Sequence, residues 1–97
     1  MTFVQLIEFR TTDVEGVRQI DEQWRRATEG KRTVRRELLA RDRSDPERYF
    51  AIVFFDSYES AMENSSLPET KDGAEQYLKA TSGSPVFYDL DILEDRA

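Results

Sequence analysis

ERYFAIVFFDSYESAMENSSLPET, residues 47–70, is the stretch on which the rest of the chain is arranged. A dense apolar run from Tyr49 to Phe55 stops abruptly at Asp56-Ser57, and a polar, helix-prone segment follows. A short run rich in aromatic and β-branched residues reads as a buried strand. Side chains alternate across a strand, so Phe50, Ile52 and Phe54 share one face and Tyr49, Ala51, Val53 and Phe55 the other. Both faces are apolar, and such a strand needs cover on two sides. The residues alone do not say which parity meets which cover.

Outward from this strand, Asp56-Ser57-Tyr58-Glu59 offers two ways to cap a helix, Asp56 with Glu59 or Ser57 with Ser60. The helix is expected to falter near Asn64-Ser65-Ser66, because Pro68 lacks an amide hydrogen and disfavours helix just before itself. Pro68 can open a second helical segment running to about residue 80, with Ala74, Tyr77, Leu78 and Thr81 as its stripe. Ser82-Gly83-Ser84-Pro85 ends it, and Val86 to Leu93 reads as a last strand.

Towards the N-terminus, Ser44-Asp45-Pro46-Glu47 has turn chemistry and joins the opening run to another strand, Thr33–Arg43, as an antiparallel hairpin. In that strand Val34, Leu38 and Ala40 are expected on one face, with Arg35, Glu37, Leu39 and Arg41 on the other. Thr12-Asp13-Val14-Glu15 reads as a capping box led by Thr12. The helix it starts, about 13–28, carries Val14, Val17, Ile20, Trp24 and Ala27 as an apolar stripe and stops at Gly30. Thr2 to Arg10 is a first strand, again apolar on both faces.

The order is βαββαβ within 97 residues, one compact domain spanning 1–97. It predicts an α+β, ferredoxin-like fold, with two helical segments over one face of a four-stranded antiparallel sheet. The second sheet face is then left apolar and open, a liability unless a partner covers it. A homodimer packing sheet against sheet resolves this and encloses space.

Composition bounds the function. A net charge of −6 argues against non-specific binding to nucleic acid or anionic membrane. The basic cluster Lys31-Arg32-Thr33-Val34-Arg35-Arg36 reads as a guarded strand edge. No cysteine is present, which removes disulfide and thiolate chemistry and fits a cytoplasmic protein. The opening residues lack the pattern of a signal peptide, and no apolar run approaches the ~20 residues of a membrane helix. There is no histidine either. That removes the usual base near neutral pH and the commonest ligand to metals and haem, so no haem, metal or other cofactor is expected. Carboxylates, arginine, tyrosine, asparagine or a bound reagent must carry any chemistry. No Gly-rich phosphate loop, Asp-x-Asp metal spacing or serine triad is present.

Arg41-Asp42-Arg43, Asp45-Pro46, Asp56-Ser57-Tyr58-Glu59, Ala61-Met62, Asn64-Ser65 and Leu67-Pro68-Glu69-Thr70 give the chain a resemblance to the dimeric α/β-barrel superfamily. It is most similar to small bacterial members near the antibiotic biosynthesis monooxygenases. The resemblance covers almost the whole chain as architecture. It implies a homodimeric barrel and a small aromatic or polycyclic ligand, with cofactor-independent oxygenation of a quinol- or anthrone-like substrate as the activity. The alternative is a non-catalytic ligand-binding or stress-associated barrel, and a third reading is a structural interaction module.

Within that frame Asn64, Tyr49 and Arg41 are the catalytic candidates. Asn64 can hold a substrate carbonyl or enolate, and a tyrosine or arginine can stabilise an anion. Trp24, Arg35, Tyr58 and Tyr77 are the ligand-binding candidates. Each has a plainer reading beside it: Asn64 as a helix-end partner, Trp24 and the tyrosines as core or core-edge residues, Arg35 and Arg41 as surface ion pairs.

Overall fold

The computed structural model describes residues 1–97. The elements run β1 (Phe3–Arg10), α1 (Val14–Ala27), β2 (Val34–Arg41), β3 (Arg48–Phe55), α2 (Tyr58–Ser66), α3 (Pro68–Ala80) and β4 (Val86–Asp91). The strands form one antiparallel sheet in the order β2-β3-β1-β4. This is the ferredoxin-like α+β arrangement, with the second helical segment split in two.

The split has a local cause. Ser57 caps α2 by accepting from the Ser60 amide, while the Ser60 hydroxyl accepts from the Ser57 amide. Of the two caps open in the sequence, the Ser57–Ser60 pair is used. At the other end Leu67 is extended before Pro68, which then occupies the first position of α3. The first helix starts differently from expectation. Asp13, not Thr12, is its cap and accepts from the Gly16 amide at 3.0 Å. The adjacent Thr11 hydroxyl is already engaged, accepting from the Asp13 amide and donating to the Ala80 carbonyl. That second bond pins the end of α3 to the end of β1. Gly30, with φ of 79°, turns the chain out of α1 in the left-handed conformation that favours glycine.

Register settles the faces. Phe3, Ile7 and Phe9 pair with Phe55, Ala51 and Tyr49. Directly paired residues share a face, and here that face is covered by helices. The buried strand residues are Phe3, Phe9, Tyr49, Ala51, Val53 and Phe55, all on this side. Val17 of α1, with Tyr77 and Ala80 of α3, packs on the Phe9–Tyr49 end. Ala61 and Met62 of α2 pack on the Phe3–Phe55 end.

One strand departs from simple alternation. The β2–β3 register shifts between Val34 and Arg36, so Val34 pairs with Phe55 but Arg36 pairs with Phe54. The bulge puts Val34 on the helix side with Glu37 and Leu39, whereas strict alternation had grouped it with Leu38 and Ala40. A second correction concerns α1: Ala27 is exposed, and Thr28 takes the buried place, its hydroxyl donating to the Trp24 carbonyl at 2.7 Å.

The other sheet face has no helix on it. Val4 and Leu6 of β1, Leu38 and Ala40 of β2, Phe50, Ile52 and Phe54 of β3, and Val86, Tyr88 and Leu90 of β4 form a continuous apolar surface. Arg36 stands exposed on this face without an ion pair, while the charges at the opposite end are tied to each other. Arg48 bridges Glu8 at 2.9 Å and Asp42 at 3.1 Å and lies over the Phe50 ring, while the Tyr88 hydroxyl donates to Glu8. No helix is long and apolar enough to cross a membrane.

Candidate functional site

Between the helix side of the sheet and the helices α1 and α3 lies a cavity of about 390 Å³. Its floor comes from β1, β2 and β3 through Ile7, Val34, Ala51, Val53 and Phe55. These are the small and branched side chains of the inward parity, and Ala51 in particular leaves room that a larger residue would fill. Trp24 and Ile20 of α1 form one wall, and Ala74, Tyr77 and Leu78 of α3 another. Gly73 faces the Trp24 ring closely: a methyl group there would meet Cδ1 at 3.5 Å, ordinary contact distance. Trp24 is held by a hydrogen bond from its Nε1 to the Thr70 hydroxyl at 3.0 Å, so its ring plane is fixed from the helix opposite.

Polar groups gather at two places. Asn64, 7% exposed, accepts from the Thr33 amide through Oδ1 at 3.3 Å. The Thr33 hydroxyl in turn donates to the Ser60 carbonyl at 2.6 Å. This joins α2 to the start of β2 and leaves the Asn64 Nδ2 without a protein partner. The second place is where Glu37 of β2 meets Asp21 of α1 and Tyr77 of α3. Arg25 Nη1 stands 3.5 Å from Glu37 Oε2, near enough for charge attraction, yet that buried oxygen accepts no hydrogen bond. The Tyr77 hydroxyl is likewise buried without a partner.

Burial, then the neighbouring Asp21 carboxylate, push the Glu37 carboxyl up to about 7, against the pull of Arg25 and Arg32. Burial, reinforced by Asp21 and Glu37, holds the Tyr77 hydroxyl well above the ordinary tyrosine range, so it remains a donor. Asp21, Glu37 and Tyr77 also border a second depression, which Arg18, Glu22 and Arg25 line on its outer side. They form part of the partition between the two spaces.

Of the residues singled out in the sequence, the cavity brings together Asn64, Trp24 and Tyr77. It does not bring in Tyr49, Arg41, Arg35 or Tyr58. Tyr49 is buried at the far end of the core, its ring stacked on Phe9 at 5.6 Å. Arg41 pairs with Tyr49 at the end of β2 and is exposed. Arg35 sits in the bulge and binds Asp56 at 2.6 Å. Tyr58 is exposed, its ring edge-on to Phe3. The basic cluster is largely spent on structure too, since Lys31 bridges Glu69 and Arg32 donates to the Arg25 carbonyl.

Sequence reasoning missed Asp21 and Glu37. Asp21 did carry a signal: it lies four residues after Val17 and three before Trp24, an acid on the buried side of an amphipathic helix.

No family model matches the chain, and no curated protein sequence does. Solved structures do match it. Rv0793 from Mycobacterium tuberculosis superposes with a TM-score of 0.79 at 11% identity, over all of both chains. A conserved protein from Methanosarcina mazei gives 0.79 at 7% identity, over 95% of this chain and 94% of that one. A Nitrosomonas europaea protein provisionally named antibiotic biosynthesis monooxygenase gives 0.78 at 10% identity, over 95% and 90%. At such identities the likeness is one of fold.

Proposed function

We propose that the chain is a small-molecule-binding α/β-barrel protein that works as a homodimer, and that it oxygenates a flat aromatic substrate of the quinol or anthrone kind without a cofactor. The observation that carries this reading is the cavity, mostly apolar but with Asn64, Lys71, Glu37 and Tyr77 among its lining residues, set beside the fixed Trp24 ring. Binding sites for small molecules have this character, a mostly apolar enclosure with a few placed polar groups. The name given to the Nitrosomonas protein supports the reaction class.

In the proposed reaction the substrate itself supplies the electrons. An anthrone loses a proton from its acidic CH₂ carbon to solvent water, which later returns it to the peroxide anion, and the carbanion gives one electron to O₂. Recombination forms a C–O bond, and the resulting hydroperoxide loses water to leave a carbonyl. The balance is CH₂ plus O₂ giving C=O plus H₂O. The Asn64 Nδ2 is a donor available to the oxyanion, which such donors stabilise most in a dry site.

The homodimer reading rests on the open sheet face. Its apolar residues reach from one edge strand to the other, and Glu8, Asp42 and Arg48 are paired within the chain, so a second copy of the same surface is a fitting cover. A single partner packed there leaves the helix-side cavity intact.

The test is Asn64→Ala, with oxygen uptake on an anthrone panel and chemical unfolding followed together. Loss of one oxyanion donor is expected to lower turnover by roughly 10²–10³. Loss of the bond from the Thr33 amide is expected to cost about 1 kcal/mol of stability. Stability lost with turnover unchanged would make Asn64 structural. No turnover by the parent protein, with ligand still bound, would favour the non-catalytic binding barrel. One observation already leans that way: Arg35 and Arg41 lie outside the cavity, so neither can stabilise an anion in it.

A further inference from the structure

We propose that the junction of Glu37 and Tyr77 is a recognition site for a hydroxyl group on an aromatic ligand, the ligand O–H donating to Glu37 and its oxygen accepting from Tyr77. The proposal rests on the cavity being a ligand site, and it adds which functional group the ligand must carry and where.

Two buried polar atoms at one cavity have no hydrogen-bond partner, Glu37 Oε2 and the Tyr77 hydroxyl oxygen. Folded proteins leave few such atoms unpaired. The two needs are complementary. An ionised carboxylate only accepts, and a protonated phenol has a hydrogen to donate. One group that meets both must donate once and accept once. A hydroxyl does so. A carbonyl offers no hydrogen to Glu37, and an ammonium offers no lone pair to Tyr77. The hydroxyl's contribution has to be read against a ligand of the same shape that lacks it.

The surroundings favour a flat ring carrying that hydroxyl. Trp24 presents a plane fixed by Thr70, and the floor beyond is aliphatic and aromatic. The charged or titratable neighbours of Glu37 are Asp21 and Arg25 on α1, Arg32 in the connection after α1, and Tyr77 on α3, with Lys71 of α3 also lining the cavity. Asp21 does not need to touch the ligand. It acts as a positioning residue, its like charge delaying ionisation of Glu37 until near-neutral pH.

The experiment compares binding of 2-naphthol and naphthalene, read through the fluorescence of the single tryptophan, Trp24. At a pH about one unit above the Glu37 midpoint, 2-naphthol is expected to bind roughly 10–100-fold more tightly, the range of one hydrogen bond to a charged group. Glu37→Gln and Tyr77→Phe are each expected to bring the two ligands within about threefold. Both variants are expected to fold, since each keeps the side chain's shape and alters a buried oxygen that has no hydrogen-bond partner. The preference is expected to weaken on acidification through about 7, and Asp21→Asn to move that midpoint lower. Equal binding of the two ligands by the parent protein would overturn hydroxyl recognition while leaving the cavity a ligand site. A preference that survives both Glu37→Gln and Tyr77→Phe would overturn it as well, placing the hydroxyl elsewhere. No response of Trp24 to either ligand would remove the ligand-site reading itself.

Discussion

On the helix side of β3, Tyr49, Ala51, Val53 and Phe55 are each no more than 9% exposed, whereas Phe50, Ile52 and Phe54 on the reverse side keep partial exposure. The two rows are equally apolar in composition. What separates them is what they face. The covered side has small residues at its centre and ionisable groups brought in by α1, β2 and α3, which leaves a cavity with unpaired polar atoms. The open side is a continuous apolar surface on which Glu8, Arg48 and Asp42 are tied together and Arg36 stands unpaired. One face thus holds a cavity with unpaired polar atoms, and the other is a continuous apolar surface. Apolar content alone does not distinguish a site from an interface; the fate of the polar atoms does.

Phe55→Glu and Ile52→Glu break this comparison most sharply, because the residues sit on one strand and opposite faces. Phe55→Glu places an unpaired charge in the helix-side core beside Phe3 and is expected to cost roughly 3–5 kcal/mol, enough to abolish cooperative folding of a small domain. Ile52→Glu is expected to leave the circular dichroism spectrum intact and to weaken self-association by roughly 10²-fold or more, since the charge enters a two-fold interface twice. Similar unfolding by both would mean that the open face is part of the monomer's own core.

A smaller effect sharpens the description of the covered side. The folded-state value of Glu37, about 7, is above its ordinary 4.5. The group's stabilising contribution is therefore complete below pH 4.5 and is lost as the pH rises through 7. Glu37→Gln is expected to stabilise the protein at about pH 8 by roughly 1–3 kcal/mol and to have little effect near pH 4, measured by urea unfolding across pH. Glu8, Asp42, Asp45, Asp56 and Glu69 work in the opposite sense. Arginine or lysine partners hold them low, apart from Asp42, where the Ser44 amide leads and Arg48 follows, and what they contribute is lost on acidification.

The smallest effect is at Gly73. Its Cβ position is open apart from ordinary contact with Trp24. Gly73→Ala is expected to raise stability by about 0.5–1 kcal/mol through helix propensity. A thermal melt checks this.

Much of the architecture was legible because local chemistry and pattern agree. The run Tyr49–Phe55, the stop at Asp56-Ser57 and the break before Pro68 each have a cause within a few residues. The β2 bulge had none that alternation could reveal, so Val34 was assigned to the wrong face. Asn64, Trp24 and Tyr77 were found through side-chain chemistry near a predicted break or stripe. Glu37 was not found, because a glutamate between arginine and leucine on an edge strand reads as surface. Only the packing of α1 and α3 over β2 turns it into a buried acid. Conversely, Arg41 and Arg35 have suitable chemistry, but their positions at a strand end and in a bulge direct them elsewhere.

Sedimentation equilibrium on the unmutated chain at micromolar concentration tests most directly whether the two faces divide the work as described. The account predicts a single species of about 22.8 kDa, twice the 11.4 kDa of one chain. A folded, stable species at 11.4 kDa would contradict it, because the open apolar face would then be at rest in water.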